Sequence, residues 1–311
     1  MKTLKYWLLS LAILLAACTP AGTDTTPAVS ETAPTPDQGS VPDGTTAPGL
    51  TEAALKNAEY IIIQDEQPYS IQLTDGSYQY GTDPTADDYV SISLADLFAF
   101  GDLNDDGATD AIALLVESYG GGSIYISMVA VIDQDGMLKH VSSAYIDVAP
   151  VIYKLEIEDG EIFMDVVVHG PNDELSSPSQ AENRAYRLGA RGLVLTHLAS
   201  KTADGQDRAI TIASPSEGSE VGRIFPLKGS VTIAPFENNL VVKVFDASGN
   251  QVYIGPLAVT AADLGAPGTF DASVNLEGIE VASGPIRIEV SDVSMADGST
   301  LALDSVVVVL K

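Results

Sequence analysis

Cysteine occurs once in these 311 residues, at Cys18, so the chain has no thiol pair to join in an internal disulfide. Histidine occurs three times and tryptophan once, at Trp7. Three scattered histidines and a lone cysteine supply no zinc-ligand spacing. Basic residues are scarce: 15 Lys and Arg stand against 43 Asp and Glu, a formal charge of −28. A chain so acidic repels phosphate backbones, which argues against nucleic acid as a partner. A Gly-x-Ser-x-Gly elbow, a phosphate loop and a dinucleotide fingerprint are all missing. Carboxylates abound, yet nothing selects two of them as a glycosidase pair. The expectation is a protein that is not an enzyme, with no catalytic residues.

What is present begins at residue 1. Lys2 and Lys5 precede an apolar run, Tyr6 to Leu15, of the length of a signal-peptide core and too short to span a bilayer. Leu15-Ala16-Ala17-Cys18 closes it. Small residues directly before a cysteine resemble the lipobox of bacterial lipoproteins. The resemblance implies cleavage after residue 17 and lipid on Cys18. Loss of Lys2 and Lys5 takes the formal charge to −30. The expected location is exported and lipid-anchored at the cell membrane or outer membrane, facing the periplasm or cell exterior. The membrane is then a partner through the anchor.

Residues 18–50 read as a disordered tether. Six Pro and eight Thr among Thr19 to Leu50, with almost no large apolar side chains, leave nothing to build a core from. As a flexible coil it spans about 30 Å. Residues 51–200 read as a β-rich domain led by a short helix, Thr51 to Ala58, with Thr51 as its N-cap. Strands then recur: Tyr60 to Ile63, Tyr69 to Leu73, Tyr89 to Leu94, Ala111 to Glu117, Ile124 to Ile132, Leu138 to Ile146, Val151 to Ile157, Glu161 to His169, Arg184 to Leu188 and Leu193 to Leu198. Turns such as Thr74-Asp75-Gly76-Ser77 and Glu158-Asp159-Gly160 join them, which implies an antiparallel meander.

Residues 208–311 carry seven further short strands with turn signals about every ten residues, the spacing of a two-sheet sandwich. The series Ile212-Ala213-Ser214-Pro215, Leu227-Lys228-Gly229-Ser230-Val231, Val244-Phe245-Asp246-Ala247-Ser248-Gly249, Gly268-Thr269-Phe270 and Ala296-Asp297-Gly298-Ser299 runs through this segment. It resembles the immunoglobulin-like domain of bacterial spore-germination proteins. That resemblance implies a fold and an extracytoplasmic setting, and no catalytic residues. The fold class expected of the whole is mainly β: an antiparallel domain with a leading helix, followed by an immunoglobulin-like β-sandwich.

The sharpest local motif is Gly101-Asp102-Leu103-Asn104-Asp105-Asp106-Gly107-Ala108-Thr109-Asp110. Oxygen side chains at alternate positions of a tight loop converge on one point, as Ca²⁺ requires. The candidate ligands are Asp102, Asn104, Asp106, the Ala108 carbonyl and Asp110, with Asp105 outward. Position twelve of an EF-hand would be Ala113, so that motif is rejected. With Phe98-Ala99-Phe100 before it, the loop resembles the calcium loop of FG-GAP repeats, but one copy makes no propeller. A structural calcium is the only cofactor the sequence suggests, and an Asp-Gly hairpin turn is the alternative. The same domain is similar to uncharacterised exported bacterial proteins.

His169-Gly170-Pro171-Asn172-Asp173 stands where a strand enters a loop. It admits a base or ligand at His169 oriented by Asp173, or simply a turn with a hydrogen-bonded histidine, and the turn is favoured. His140 and His197 read as surface or packing residues. Tyrosines 69, 78, 80, 89, 119 and 125 offer a ligand-contacting face, or strand packing. The expected role is binding, adhesion or envelope organisation toward an envelope protein or polysaccharide. An envelope-polymer hydrolase and a spore-germination component are the alternatives.

Overall fold

A computed structural model describes residues 50–64, 67–86 and 88–311. The expected signal segment 1–17, the expected anchor at Cys18 and the expected tether up to residue 49 lie outside the described residues. Leu50, read as the end of the tether, packs against a buried core.

The chain enters through a single helical turn, Glu52–Leu55 (α1). Thr51 caps it by accepting the Ala54 N–H on Oγ1 at 3.2 Å. The turn is shorter than expected because the chain is already folding back at Asn57, whose N–H reaches the Ala54 carbonyl. Leu55 is fully buried, and its carbonyl accepts the Tyr60 hydroxyl at 3.0 Å.

A hairpin follows, β1 (Glu59–Gln64) with β2 (Gln67–Gln72). Five antiparallel strands in sequence order then form a sheet: β3 (Ser77–Tyr80), β4 (Val90–Gly101), β5 (Asp110–Ser118), β6 (Tyr125–Gln134) and β7 (Met137–Val148). Both faces of this sheet are covered. Ala111, Ala113, Leu115, Val129 and Val131 bury against α1 and the hairpin. Ile112, Leu114, Met128 and Ala130 bury on the other side against the next sheet. Burial on both faces is why the run Ala111 to Val116 shows no apolar–polar alternation. β4 outruns its expected end at Leu94: the pairing with β5 slips between Leu94 and Phe98 and then resumes to Gly101. The slip carries Asp96 outward to Lys56, at 2.8 Å.

Ala149, with φ 42°, turns the chain out of this sheet. The second sheet begins with β8 (Val151–Glu158), β9 (Glu161–Val168), β10 (Gln180–Gly189) and β11 (Gly192–Lys201). β9 alternates cleanly, with Ile162, Met164, Val166 and Val168 buried.

The C-terminal strands are β12 (Asp207–Arg208), β13 (Ile210–Ser214), β14 (Glu220–Val221), β15 (Ile224–Val231), β16 (Asn239–Phe245), β17 (Gln251–Ala258), β18 (Thr260–Ala261), β19 (Gly268–Asn275), β20 (Gly284–Val293) and β21 (Thr300–Leu310). A sandwich forms between β13-β15-β19-β18 and β17-β16-β20-β21. Its core includes Leu227, Leu240, Val244, Phe270, Ile288 and Val308. The chain is thus mainly β and antiparallel, with an immunoglobulin-like C-terminal sandwich.

The second sheet continues straight into that sandwich. β11 pairs antiparallel with β21 through His197–Asp304 and Leu198–Leu303, giving the order β17-β16-β20-β21-β11-β10-β9-β8. Side chains reinforce the join. The Ser200 hydroxyl donates to the Leu301 carbonyl at 2.6 Å, and Ser305 donates to that of Thr196 at 2.9 Å. Arg191 reaches the Ser248 carbonyl at 3.1 Å. No helix among the described residues is long and apolar enough to cross a membrane.

Candidate functional site

The Asp-rich loop connects β4 to β5 and is wound around its own carboxylates. Asp102 Oδ2 accepts the Gly107 N–H at 2.8 Å, while Oδ1 accepts those of Asp106 at 3.2 Å and Asn104 at 3.3 Å. Gly107 has φ 85°, and Asp105 has φ 59°. The Asn104 amide donates to Asp106 Oδ2 at 2.9 Å, and Asp106 Oδ1 accepts the Ala108 N–H at 2.7 Å. The N–H bonds, led by Gly107, hold the Asp102 carboxyl below its usual range.

Asp110 is different in kind. It is fully buried, accepts Leu103 N–H at 2.9 Å on one oxygen and Asp133 N–H at 3.0 Å on the other. Burial pushes its carboxyl up, against the pull of those two bonds. It fastens the loop to the end of β6. Asp102, Asn104 and Asp106 therefore share the exposed turn, and Asp110 anchors it from beneath.

The donor chemistry suits Ca²⁺, since every side chain offers hard oxygen, and a carboxylate oxygen bonded to one N–H keeps a further lone pair. Among the described residues, however, no three His, Cys, Asp or Glu side chains gather as a metal-holding group. A site here would draw on Asn104 and the Ala108 carbonyl as well as the carboxylates.

The second candidate lies at the start of the loop after β9. His169 Nδ1 stands 2.9 Å from Asp147 Oδ2 on β7, and the same oxygen accepts the His169 N–H at 2.5 Å. Asp173 does not orient the imidazole. It braces its own loop instead, accepting Gly170 N–H at 2.8 Å and Ser179 N–H at 2.7 Å. The hydrogen bond to Asp147 raises the His169 pKa. Nε2 is covered by protein, and the Leu175 backbone beside the ring adds to the rise in pKa.

A hollow of about 500 Å³ holds His169 and Asp147 together with Glu182, Arg184 and Tyr186. Sequence reasoning named none of these partners, which come from β7 and β10. Arg184 and Glu182 form an ion pair at 2.6 Å, with side chains only 14% and 10% exposed. Arg184 also donates to the Tyr186 hydroxyl at 3.3 Å. Burial raises the Glu182 carboxyl, and Arg184 opposes that rise. Each ionisable group thus points at a neighbour.

His140 is a packing residue. Buried on β7, it accepts the Ile61 N–H on Nδ1 at 2.9 Å and so fastens the hairpin to the sheet. Burial lowers its pKa. His197 Nδ1 lies 3.3 Å from Asp304 Oδ1 at the sheet join.

The tyrosines separate into two groups. Tyr69, Tyr78 and Tyr119 pack against the first core, while Tyr80 stands exposed on β3. Tyr119 also meets Tyr125, which in turn meets Tyr145, a residue outside the tyrosine set offered by the sequence. Their ring centroids lie 6.1 Å and 6.5 Å apart along the series 119–125–145. The three edge a cleft of about 310 Å³ between β1 and the five-stranded sheet. Tyr145 is 56% exposed. Glu117 lies in the cleft wall and is only 7% exposed. Its position at the end of the apolar run of β5 hid it, because a charged residue in a strand reads as outward-facing.

Residues 209–299 match the family described as the immunoglobulin-like domain of bacterial spore germination. This covers most of the sandwich and agrees with the motif series that points to it. No curated protein matches the chain.

Proposed function

We propose that this chain is a non-enzymatic envelope protein, held to a membrane by lipid on Cys18, whose β-rich body binds a component of the envelope. The closure of His169 carries the reading. It is the one histidine in a loop motif, and its Nδ1 is committed to Asp147 while its Nε2 is covered. A general base needs a nitrogen within reach of the proton it takes. The neighbouring Glu182 is equally committed, to Arg184. By contrast, the tyrosine cleft opens to solvent at Tyr145. The acidic charge and the immunoglobulin-like match fit an extracytoplasmic binding body, and the sheet shared by β11 and β21 lets both parts present one surface. A structural Ca²⁺ held by Asp102, Asn104, Asp106, the Ala108 carbonyl and Asp110 would stiffen the β4–β5 loop.

Two measurements on one preparation test this. In cells, lipid label should enter the protein and disappear with Cys18→Ala. The purified chain should sediment with purified envelope polymers and release no soluble fragments. Release of fragments that is lost in His169→Gln would overturn the reading in favour of a hydrolase.

A further inference from the structure

Four carboxylates of the described residues are buried: Asp110, Glu117, Glu289 and Asp292. Three of them are compensated from within. Asp110 has two backbone N–H donors, Glu289 has Lys243 at 3.1 Å and Arg287 at 2.7 Å, and Asp292 has Arg208 at 3.3 Å. Glu117 stands apart. Its bonded neighbour is the Tyr119 hydroxyl, a neutral donor. Among the described residues no ion pair includes Glu117. A buried carboxylate without a cation is costly, and it lies in the wall of an open cleft.

The rest of the wall narrows the choice of cation. Ile61 and Ile63 line one side, and Tyr119, Tyr125 and Tyr145 the other. A hard metal ion needs six or more oxygens and favours several carboxylates, and this wall presents one carboxylate and the hydroxyls of Ser127 and Ser143 among aromatic and aliphatic surface. Tyrosine faces attract organic cations, and aliphatic side chains accept their carbon. Burial, then the bond to Glu117, keeps the Tyr119 phenol protonated well above its usual range, so the ring stays a neutral donor. The overall charge of −28 draws cations toward the surface.

The geometry points to an alkylammonium-binding cleft: Glu117 supplies the counter-charge, and Tyr119, Tyr125 and Tyr145 supply the aromatic wall. The assignment rests on the binding reading above and names the chemistry that such a body would recognise. The recognised group would be a quaternary or primary ammonium on a short carbon chain.

Calorimetric titration of the full chain in detergent tests it, at constant ionic strength. The probes are choline, butylammonium and the uncharged tert-butyl isostere of choline. The two cations should bind saturably and the isostere should not. Glu117→Gln and Tyr145→Leu should each weaken binding by about tenfold. Tyr145 is exposed, so its variant keeps the test valid if Glu117→Gln fails to fold. Equal binding of the isostere, no binding of either cation at millimolar concentration, or unchanged affinity in the variants that fold would overturn the assignment. Sedimentation with envelope polymers that persists without ammonium binding would sink the cleft assignment and leave the binding reading standing.

Discussion

Gly229 and Phe270 face each other across the β15–β19 pairing, and a β-carbon on Gly229 would overlap both the Phe270 ring and the Thr211 carbonyl. Phe270 is among the largest fully buried side chains of the sandwich. The glycine is therefore a packing requirement. Gly229→Ala should destabilise the protein by about 2 kcal/mol or more, as overpacked cores do. Phe270→Ala should cost about 3–5 kcal/mol through the cavity it leaves. The double variant should lose less than the sum, because the new methyl no longer meets a ring. Denaturant melts of the three variants check this, and strict additivity would contradict the contact.

His169 and His140 should act in opposite directions on stability. Asp147 raises the His169 pKa above the usual 6.5. Its contribution is then fully present below pH 6.5 and lost as pH rises through the folded value. Burial lowers the His140 pKa below 6.5, and protonating Nδ1 would break its bond to Ile61. Its contribution is present above pH 6.5 and lost as pH falls through the folded value. Thermal melting from about pH 5 to about pH 8 should show both limbs. Asp147→Asn should flatten the alkaline limb, and His140→Gln the acidic one. A His169 titration midpoint that does not fall in Asp147→Asn would refute the coupling.

Arg184 opposes the rise that burial gives the Glu182 carboxyl. Arg184→Met removes the cation and leaves the carboxylate buried, which should cost about 3–5 kcal/mol. Adding Glu182→Leu should recover most of that loss, since a packed apolar pair replaces a desolvated ionic one. Tyr186 loses a donor in both cases, so a small deficit should remain. If the double variant is no more stable than Arg184→Met, the pair is not the unit that matters.

Strands with one buried face were legible in the sequence, and β9 is the clearest, because each second residue is apolar. β4 beyond Leu94 was not, because the alternation ends where the strand bulges and carries Asp96 outward to Lys56. The join of β11 to β21 leaves no local trace, since the paired residues His197 and Asp304 are far apart in the chain. Distance along the chain also hid the partner of His169. Asp173 was the nearest candidate in the chain, but the pleat of two packed sheets brings Asp147 to the ring instead. The tyrosine cleft was half visible: Tyr119 and Tyr125 flank a glycine turn and were named. Tyr145 and Glu117 required the third dimension, because only sheet pairing places them on the same wall.

The loop Asp102 to Asp110 supplies a prediction that separates a metal from a mere turn. In the turn, Asp102, Asn104 and Asp106 are drawn together by backbone N–H bonds and by the Asn104 amide on Asp106, with three side chains bearing two negative charges near each other. Bound Ca²⁺ would relieve that repulsion and add stability by mass action, about 2.7 kcal/mol at a hundredfold excess over Kd. Chelator-treated protein should therefore melt at a higher temperature when millimolar Ca²⁺ is restored. Asp106→Ala removes a candidate ligand from the exposed turn and should abolish the shift. Asp110→Asn probes a different function, because Asp110 also clamps Leu103 and Asp133. Its amide can accept one of those N–H groups but not both, so it should lower the melting temperature with or without calcium. Equal melting with and without Ca²⁺, in wild type and Asp106→Ala alike, would show that the loop is a self-sufficient turn. The loss in Asp110→Asn would then be purely that of one of its two backbone bonds.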